Sequence, residues 1–313
     1  MSEHVVSKGI PGSTLKIIAI ITMLIDHIAA VVLADYLSID GIRTIYKIMR
    51  SIGRLGFPIF CFLLVEGFMH TRDIKRYARN LGLFALISEV PFDLAFKHKL
   101  IYLDYQNVFF TLFLSLLAIW IISLIEENEQ WNKVHQLLSV IAAAVSGLLL
   151  VYGFLNHYYA LHTTLQIDRV TLEMIRSSYQ MLFYIGGVVM ALVIYLVLLR
   201  IRGREFLIRN SLILSCMLIF ALAADLLKTD YSCIGVVTIT VMYLLRYTKM
   251  TEAAAGCTIL TLMHSNEISS LAILLPIQYY NGLRGLRLKY VFYCFYPAHL
   301  LILYLIGRLL KMI

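Results

Sequence analysis

The chain has 313 residues and a formal net charge of +8, and 60% of its residues are hydrophobic while only 15% are charged. Its mean hydropathy is +0.82, whereas a typical soluble domain is roughly 45–50% apolar and about 25% charged. A soluble fold of this length could not bury so much apolar surface, which excludes a soluble enzyme, a disordered chain and a secreted disulfide scaffold. The composition predicts an all-α, polytopic transmembrane helix bundle of about 10–11 spans, each of about 20 residues.

Apolar stretches long enough to span a membrane follow one another along the chain. The predicted spans are 14–35, 44–70, 77–96, 107–125, 135–155, 179–199, 208–227, 231–247 and 290–310. Two shorter stretches, 253–264 and 268–280, flank the polar residues His264-Ser265-Asn266-Glu267. They predict either a hairpin of two short helices or a re-entrant element. No linker, repeat or change of composition divides the chain, so we predict a single domain over residues 1–313.

Basic residues cluster in three short loops between the predicted spans. They are Arg72, Lys75, Arg76 and Arg79, then the four arginines of 200–209, and then Arg284, Arg287 and Lys289. Because Lys and Arg are enriched in cytoplasmic loops, this pattern predicts a cytoplasmic N-terminus. The same loops are expected to contact anionic membrane lipid. The basic charge therefore reflects topology, and no recognition motif indicates a nucleic-acid partner.

The five cysteines stand singly within apolar segments, without CxxC or other metal-ligand spacing. We interpret them as small buried hydrophobic residues and expect no metal site. The chain also lacks the GxSxG, HExxH and P-loop motifs. Direct transfer of a group between two bound substrates needs none of these motifs.

Ionisable residues inside the predicted spans are the main functional signal. Each charge at the bilayer centre costs about 2.5–3.5 kcal/mol on insertion scales, so these side chains must face each other or a wet cavity. A rise of about 1.5 Å per residue places most of them in the middle and outer part of the bilayer, with Glu66 near the cytoplasmic end. They are Asp26, His27, Arg54, Glu66, Glu89, Asp93, Asp225 and His299.

These residue types suit a transfer reaction. A histidine titrates near neutral pH and accepts a proton from an attacking amine or hydroxyl, and Asp26 would orient or charge His27. Glu89 and Asp93 share a helix face one turn apart, where an ammonium group or Arg54 would compensate their charge. The alternative for each buried polar residue is a hydrogen bond that only joins helices.

Several motifs, in order over nearly the whole chain, resemble those of the TraX family. They are Leu15-Lys16-Ile17-Ile18-Ala19, Met23-Leu24-Ile25-Asp26-His27, Gly53-Arg54-Leu55-Gly56-Phe57-Pro58-Ile59-Phe60, Val65-Glu66-Gly67-Phe68, His70-Thr71-Arg72, Tyr77-Ala78-Arg79, Ser88-Glu89-Val90-Pro91-Phe92-Asp93, Asn107-Val108-Phe109-Phe110-Thr111, Asp230-Tyr231 with Gly235, Lys289-Tyr290 and Phe295-Tyr296-Pro297-Ala298-His299-Leu300.

The resemblance implies an integral protein of the bacterial inner membrane. It implies acetylation of the N-terminal amine of a conjugative pilin, with acetyl-CoA as the donor. It also implies a distant relation to the membrane acyltransferases of family three and to the lysosomal glucosaminide N-acetyltransferase. In family three, a basic residue of the first span precedes a catalytic histidine by eleven positions, and Lys16 and His27 stand at that spacing.

The predicted site combines both lines of reasoning. His27 is expected to be the catalytic base, together with Asp26. Substrate-binding roles are expected for Arg54, Glu66, Glu89, Asp93, Asn107 and His299. Contacts to the phosphates of acetyl-CoA are expected from Lys16, Arg72, Lys75, Arg76 and Arg79. The expected partners are the acyl donor, an amine or hydroxyl acceptor and membrane lipid, and the oligomeric state is left open.

Two other functions fit the same buried charges. A proton-coupled transporter uses chains of Asp, Glu and His as proton relays, often with inverted repeats and broken helices. The stretch 253–280 is a candidate broken element, but no repeat is evident. In a scaffold or assembly protein, the charges would only hold helices together, so neutral replacements would lower stability and change no activity.

Overall fold

A computed structural model of the protein describes residues 9–157, 169–286 and 289–310. These residues form helices, and the described part of the chain contains no named β-strand. The α-helices are α1 Gly12–Ile28, α2 Ile42–Gly53, α3 Gly56–Met69, α4 Ile74–Lys97, α5 Val108–Glu126, α6 Lys133–His157, α7 Arg169–Arg202, α8 Arg204–Leu226, α9 Ser232–Leu244, α10 Lys249–Met263, α11 Leu274–Gln278 and α12 Lys289–Leu309. A π-helix, Ala29–Leu33, continues α1, and Ala34–Tyr36 and Ser265–Ile273 are 3₁₀-helices.

Long apolar helices confirm an all-α, polytopic integral membrane protein. In the described residues, seven stretches are long and apolar enough to cross a membrane: Gly12–Tyr36, Ile42–Met69, Val108–Glu126, Lys133–Asn156, Ser177–Arg202, Arg204–Leu226 and Val291–Leu309. The expected number was about 10–11. The remaining predicted spans fall on α4, which carries many charges, on α9 with 13 residues, and on α10 with 15.

The predicted span 44–70 consists of two helices, α2 and α3, which are interrupted at Arg54 and Leu55. Pro58 explains the break. A proline has no N–H to donate to the carbonyl four residues earlier, and its ring clashes with that carbonyl. Here that carbonyl belongs to Arg54, so the helix ends and α3 starts again with Pro58 in its first turn. Arg54 therefore lies at an interhelical break inside the membrane stretch.

The stretch 253–280 combines an α-helix with irregular backbone. After α10, residues Ser265–Ile273 form a 3₁₀-helix that packs against α2, α3 and α10. Cys257 on α10 donates its thiol to the carbonyl of Ser270, at 3.3 Å. The second half of this stretch is thus a 3₁₀-helix followed by the short helix α11, and the choice between a hairpin of two short helices and a re-entrant element stays a prediction. Protein covers this backbone on several sides, as irregular backbone at membrane depth requires.

The chain divides into two compact units, Met1–Leu117 with Ala224–Ile313, and Ala118–Ala223. In the second unit, α6 packs along α7, and a Cβ at Gly147 would overlap the backbone of Gly187. Ser139 and Tyr195 are hydrogen-bonded at 2.8 Å between these helices. The single domain over residues 1–313 stays a prediction.

The first unit contains every residue of the predicted site. Helix α1 packs against α2, α3 and α12, while α4 packs against α12 and α9 packs against α10. Close approach at Gly53 is required where α2 meets α1, because a Cβ there would overlap the side chain of Asp26. These contacts bring residues from the two ends of the chain into one region.

Candidate active site

Two histidines from opposite ends of the chain are hydrogen-bonded in the first unit. Nδ1 of His27, on α1, lies 2.7 Å from Nε2 of His299, on α12, and their rings stack with centroids 5.0 Å apart. Nδ1 of His299 lies 2.8 Å from the carbonyl oxygen of Phe295, one turn earlier on α12. His299 is buried and His27 is half-buried. The sequence predicted both residues in the site, but not that they would contact each other.

Asp26 binds Arg50 and not His27. Its Oδ2 accepts a hydrogen bond from Arg50 at 2.5 Å, in a partly buried ion pair. The expectation that Asp26 orients His27 is therefore corrected. Consecutive residues of an α-helix point about 100° apart, because the helix has 3.6 residues per turn. As a result, Asp26 reaches α2 while His27 reaches α12.

Arg54 forms an ion pair with Glu267, with 2.8 Å between guanidinium and carboxylate. The sequence predicts an ammonium group or Arg54 as the cation beside Glu89 and Asp93, whereas the structure pairs Arg54 with Glu267. Glu267 lies on the 3₁₀-helix after α10 and is buried. The sequence signal was the polar interruption of the apolar stretch 253–280, from which we predicted only a chain reversal.

Asp230 and Tyr231 form a constrained turn before α9. Tyr231 has a φ of 62°, a left-handed conformation that is uncommon for a residue with a side chain, and its ring stacks on Phe57 at 3.5 Å. Asp230 accepts hydrogen bonds from the Tyr105 hydroxyl at 2.8 Å and from the backbone N–H of Tyr231 at 3.1 Å. Backbone strain of this kind concentrates at functional sites. The motif Asp230-Tyr231 contributed to the family resemblance, but the sequence reasoning gave it no role.

The turn is attached to the loop that precedes α5. The backbone N–H of Gln106 donates to the carbonyl of Lys228 at 3.0 Å. The carbonyl of Gln106 accepts the backbone N–H of Asp230 at 2.8 Å. The Lys228 ammonium also binds Asp104, and this hydrogen bond lowers the pKa of the exposed Asp104 carboxyl. The loop and the turn therefore hold Tyr105 and Tyr231 close to the ion pairs.

Glu89 and Asp93 bind the same loop. Asn107 donates its side-chain amide to Glu89 and, at 2.8 Å, to the carbonyl of Ala85. Its backbone N–H lies 3.3 Å from Glu89, and its side-chain oxygen accepts the backbone N–H of Phe109 at 3.0 Å, near the start of α5. Asp93 accepts the backbone N–H of Tyr102 at 2.6 Å. These three predicted residues lie together and connect α4 to α5.

Electrostatic interactions join the ion pairs into one group. Asp26 interacts with Arg54 as well as with Arg50, and also with Glu267. Arg50 interacts electrostatically with His27. Tyr231 interacts with Arg54, Glu267 and Asp230, and Tyr296 interacts with Asp230 and Glu89. The group combines a histidine pair, two arginines and several carboxylates, which suits proton transfer and the binding of a charged substrate.

Four carboxylates of this region each keep one oxygen that is buried and has no hydrogen-bond partner within the described structure. These oxygens are Asp26 Oδ1, Glu89 Oε1, Asp93 Oδ1 and Glu267 Oε2. A buried acceptor without a donor is costly. A substrate that carries N–H groups would supply donors for some of these oxygens.

The remaining predicted residues lie apart from these contacts. Glu66 accepts a hydrogen bond from the Tyr280 hydroxyl at 2.9 Å and interacts electrostatically with the buried Glu252. Lys16 lies over the Phe292 ring at 5.5 Å. The other four predicted cofactor residues, Arg72, Lys75, Arg76 and Arg79, are exposed around the start of α4. These four side chains form no ion pair with another described residue.

For a metal, the described residues offer no group of three His, Cys, Asp or Glu side chains that could hold an ion.

The family model for the TraX protein matches residues 11–185 and 182–307. The chain belongs to the TraX family. It is also 40% identical over 114 residues to the probable fimbrial assembly protein FimC, serogroup H1, of Dichelobacter nodosus. That alignment covers 34% of this chain and 44% of the relative's own length, so less than half of the relative is matched. No solved structure matches the chain.

Proposed function

We propose that this TraX-family protein is a membrane-embedded acyltransferase that moves an acetyl group from acetyl-CoA to an amine or hydroxyl acceptor. One observation supports this most strongly. A hydrogen-bonded pair of histidines, the half-buried His27 and the buried His299, lies in the same electrostatic group as carboxylates with unpartnered oxygens. A base next to acidic hydrogen-bond acceptors suits an acceptor that arrives as an ammonium ion and reacts as an amine.

The N-terminal amine of a pilin-like peptide is the proposed acceptor. Membership of the TraX family supports it through the acetylation that the family resemblance implies. The Dichelobacter nodosus relative is named as a fimbrial assembly protein, and fimbriae are built from pilin-like subunits. An N-terminal ammonium would bind the unpartnered carboxylate oxygens and so hold the peptide end near His27.

Acetyl-CoA is proposed to approach from the cytoplasmic side of the bacterial inner membrane, with the N-terminus on that side. The exposed Arg72, Lys75, Arg76 and Arg79 would bind its phosphates, since clustered cations attract phosphate groups. Lys16 would add a contact about 16 Å along α1 from His27, given about 1.5 Å of rise per residue. The extended arm of the cofactor would then direct the thioester towards His27.

The transfer would proceed by direct attack. The acceptor nitrogen attacks the thioester carbonyl, so that a C–N bond forms and the C–S bond breaks. Before the attack, an ammonium form of the acceptor releases one proton to bulk water. His27 then takes the further proton that the attacking nitrogen loses and returns it to the thiolate of CoA. Holding both reactants in place lowers the barrier by removing their translational freedom. The products are an acetylated acceptor and free CoA.

A transfer assay with the purified full-length protein tests the function. Labelled acetyl-CoA is supplied with a peptide that bears a free, pilin-like N-terminus, and an N-terminally blocked peptide is the control acceptor. We expect His27→Gln to lower the rate by about 10²–10⁴-fold, the usual contribution of a general base. Leu301→Ala, at an exposed position of α12, should keep the wild-type rate. Full activity of a folded His27→Gln protein would contradict the assignment of His27.

A proton-coupled transporter is the second candidate. It is favoured by the hydrogen-bonded histidines and by the irregular element Ser265–Ile273, whose Glu267 binds Arg54. Reconstituted vesicles test it. Solute uptake driven by a pH gradient without acetyl-CoA, together with no acetyl transfer, would replace the acyltransferase proposal with this one.

A further inference from the structure

We propose that His299 is a positioning residue that fixes the tautomer of His27 and thereby leaves Nε2 of His27 as the proton acceptor. This inference rests on the proposed function only in its use of His27 as the base of the transfer. The tautomer of His27 itself can be measured without any turnover. It assigns to His299 a different role from the direct substrate contact that the sequence predicted.

The carbonyl of Phe295 fixes the proton of His299. A carbonyl oxygen can only accept a hydrogen bond, so Nδ1 of His299, at 2.8 Å, must carry the proton of this contact. In a neutral imidazole, only one ring nitrogen is protonated. Nε2 of His299 therefore presents a lone pair to His27.

The next contact fixes the proton of His27. Two ring nitrogens 2.7 Å apart need one proton between them, because two lone pairs or two N–H groups would repel. Since Nε2 of His299 is the acceptor, Nδ1 of His27 is the donor. The neutral His27 ring then has its free lone pair on Nε2, and this nitrogen is the base.

If both ring nitrogens of His299 were protonated, Nε2 of His299 would donate to Nδ1 of His27, which reverses the hydrogen bond between the two rings. The surroundings of His299 disfavour this doubly protonated state. His299 is 5% exposed, and an isolated buried cation is costly. Arg50 interacts electrostatically with His27 and already brings positive charge close to the pair. His299 forms no ion pair with a carboxylate of the described residues.

The other neighbours of His27 do not decide its tautomer. From α4, Phe96 packs edge-on at 5.5 Å, and from α12, Tyr296 packs edge-on at 6.0 Å. On its own helix, Asp26 is bound to Arg50, which comes from α2. Within the described structure, His299 is the residue that is hydrogen-bonded to the His27 ring.

This geometry determines how the proton moves. When Nε2 of His27 accepts a proton from the acceptor, Nδ1 keeps its own proton and continues to donate to His299. The chain ends at the Phe295 carbonyl, which cannot accept a proton covalently under these conditions, so no proton leaves along it. The same Nε2 must therefore return the proton to the thiolate of CoA.

The direct test is the protonation of each nitrogen in the full-length protein. We would label the histidines with ¹⁵N, record nitrogen spectra in detergent at neutral pH, and assign the His27 signals by their loss in His27→Gln. The expected result is a protonated Nδ1 and an unprotonated Nε2 on His27. A protonated Nε2 in the wild-type protein would overturn the proposal, whatever the protein's activity.

Matched variants at position 299 give a second test. In His299→Gln, the amide oxygen can accept from His27 and the amide N–H can donate to Phe295, whereas His299→Leu can do neither. We expect the glutamine variant to keep the wild-type tautomer and most of the transfer rate. The leucine variant should show a mixture of tautomers and a rate lower by about 10²-fold, the lower end of a general base's contribution.

The controls separate this inference from the proposed function. Leu301→Ala on the same helix should leave the tautomer and the rate unchanged. If the wild-type protein shows the expected tautomer but transfers no acetyl group, the proposed function fails and the positioning role stands. If a folded His299→Leu protein keeps a uniform tautomer, the positioning role fails even when transfer is confirmed.

Discussion

At the scale of single residues, the charges inside the membrane stretches have specific partners. Asp26 binds Arg50 and Arg54 binds Glu267, so each arginine compensates one carboxylate directly. A buried carboxylate without a cation would be costly to keep ionised. Sequence reasoning identified Asp26 and Arg54 because charged residues are rare in apolar stretches. It did not identify Glu267, because that residue lies in a polar interruption that also fits an ordinary loop.

The Arg54–Glu267 pair leads to a prediction about stability. Arg54→Met should destabilise the protein by about 3–5 kcal/mol, since it leaves the buried Glu267 carboxylate without its cation. The double variant Arg54→Met/Glu267→Met should recover most of this loss, because an apolar pair can replace a buried ion pair at little cost. Thermal unfolding midpoints in detergent measure both effects. A double variant as unstable as the single one would show that the pair is not coupled.

At the scale of elements, close helix contacts place the site residues. Helices α1 and α2 meet where Gly53 touches Asp26, and the break before Pro58 leaves Arg54 between α2 and α3. The π-helix Ala29–Leu33 begins two residues after His27, and such irregular turns in helices are frequent at functional sites. The apolar pattern predicted the helices here, but neither the break nor the irregular turn.

Gly53 provides a prediction for this scale. In an ordinary helix, Gly→Ala stabilises by roughly 0.5–1 kcal/mol. At Gly53 the new Cβ would overlap Asp26, and overpacking typically costs about 1–3 kcal/mol, so the net effect of Gly53→Ala should be destabilising. Gly153→Ala on α6 is the matched control, because no atom lies within 4 Å of its added Cβ. Unfolding midpoints should fall for the first variant and hold or rise for the second.

At the scale of the whole molecule, all predicted site residues belong to the unit Met1–Leu117 with Ala224–Ile313. The unit Ala118–Ala223 contains none of them. The family model nevertheless matches from residue 11 to residue 307. The two parts of the first unit are distant in sequence, so the site exists only once the chain has folded back on itself.

Topology leads to a prediction at this scale. If the N-terminus is cytoplasmic, Lys75→Cys should react with a membrane-impermeant thiol reagent from the cytoplasmic side, and Lys99→Cys from the opposite side. Both positions are exposed at the two ends of α4. Labelling of intact cells and of inverted vesicles, in a background without the native cysteines, measures this. Reversed labelling would reject the proposed side of acetyl-CoA entry.

The sequence by itself determined the membrane class, most of the helices and the set of costly buried charges. It could do so because hydropathy and rare intramembrane charge are local properties of the chain. Tertiary structure alone decided the partners. His27 meets His299, 272 positions away, and Arg54 meets Glu267, 213 positions away. The direction of a side chain relative to a distant helix depends on how the helices cross, which local periodicity does not specify.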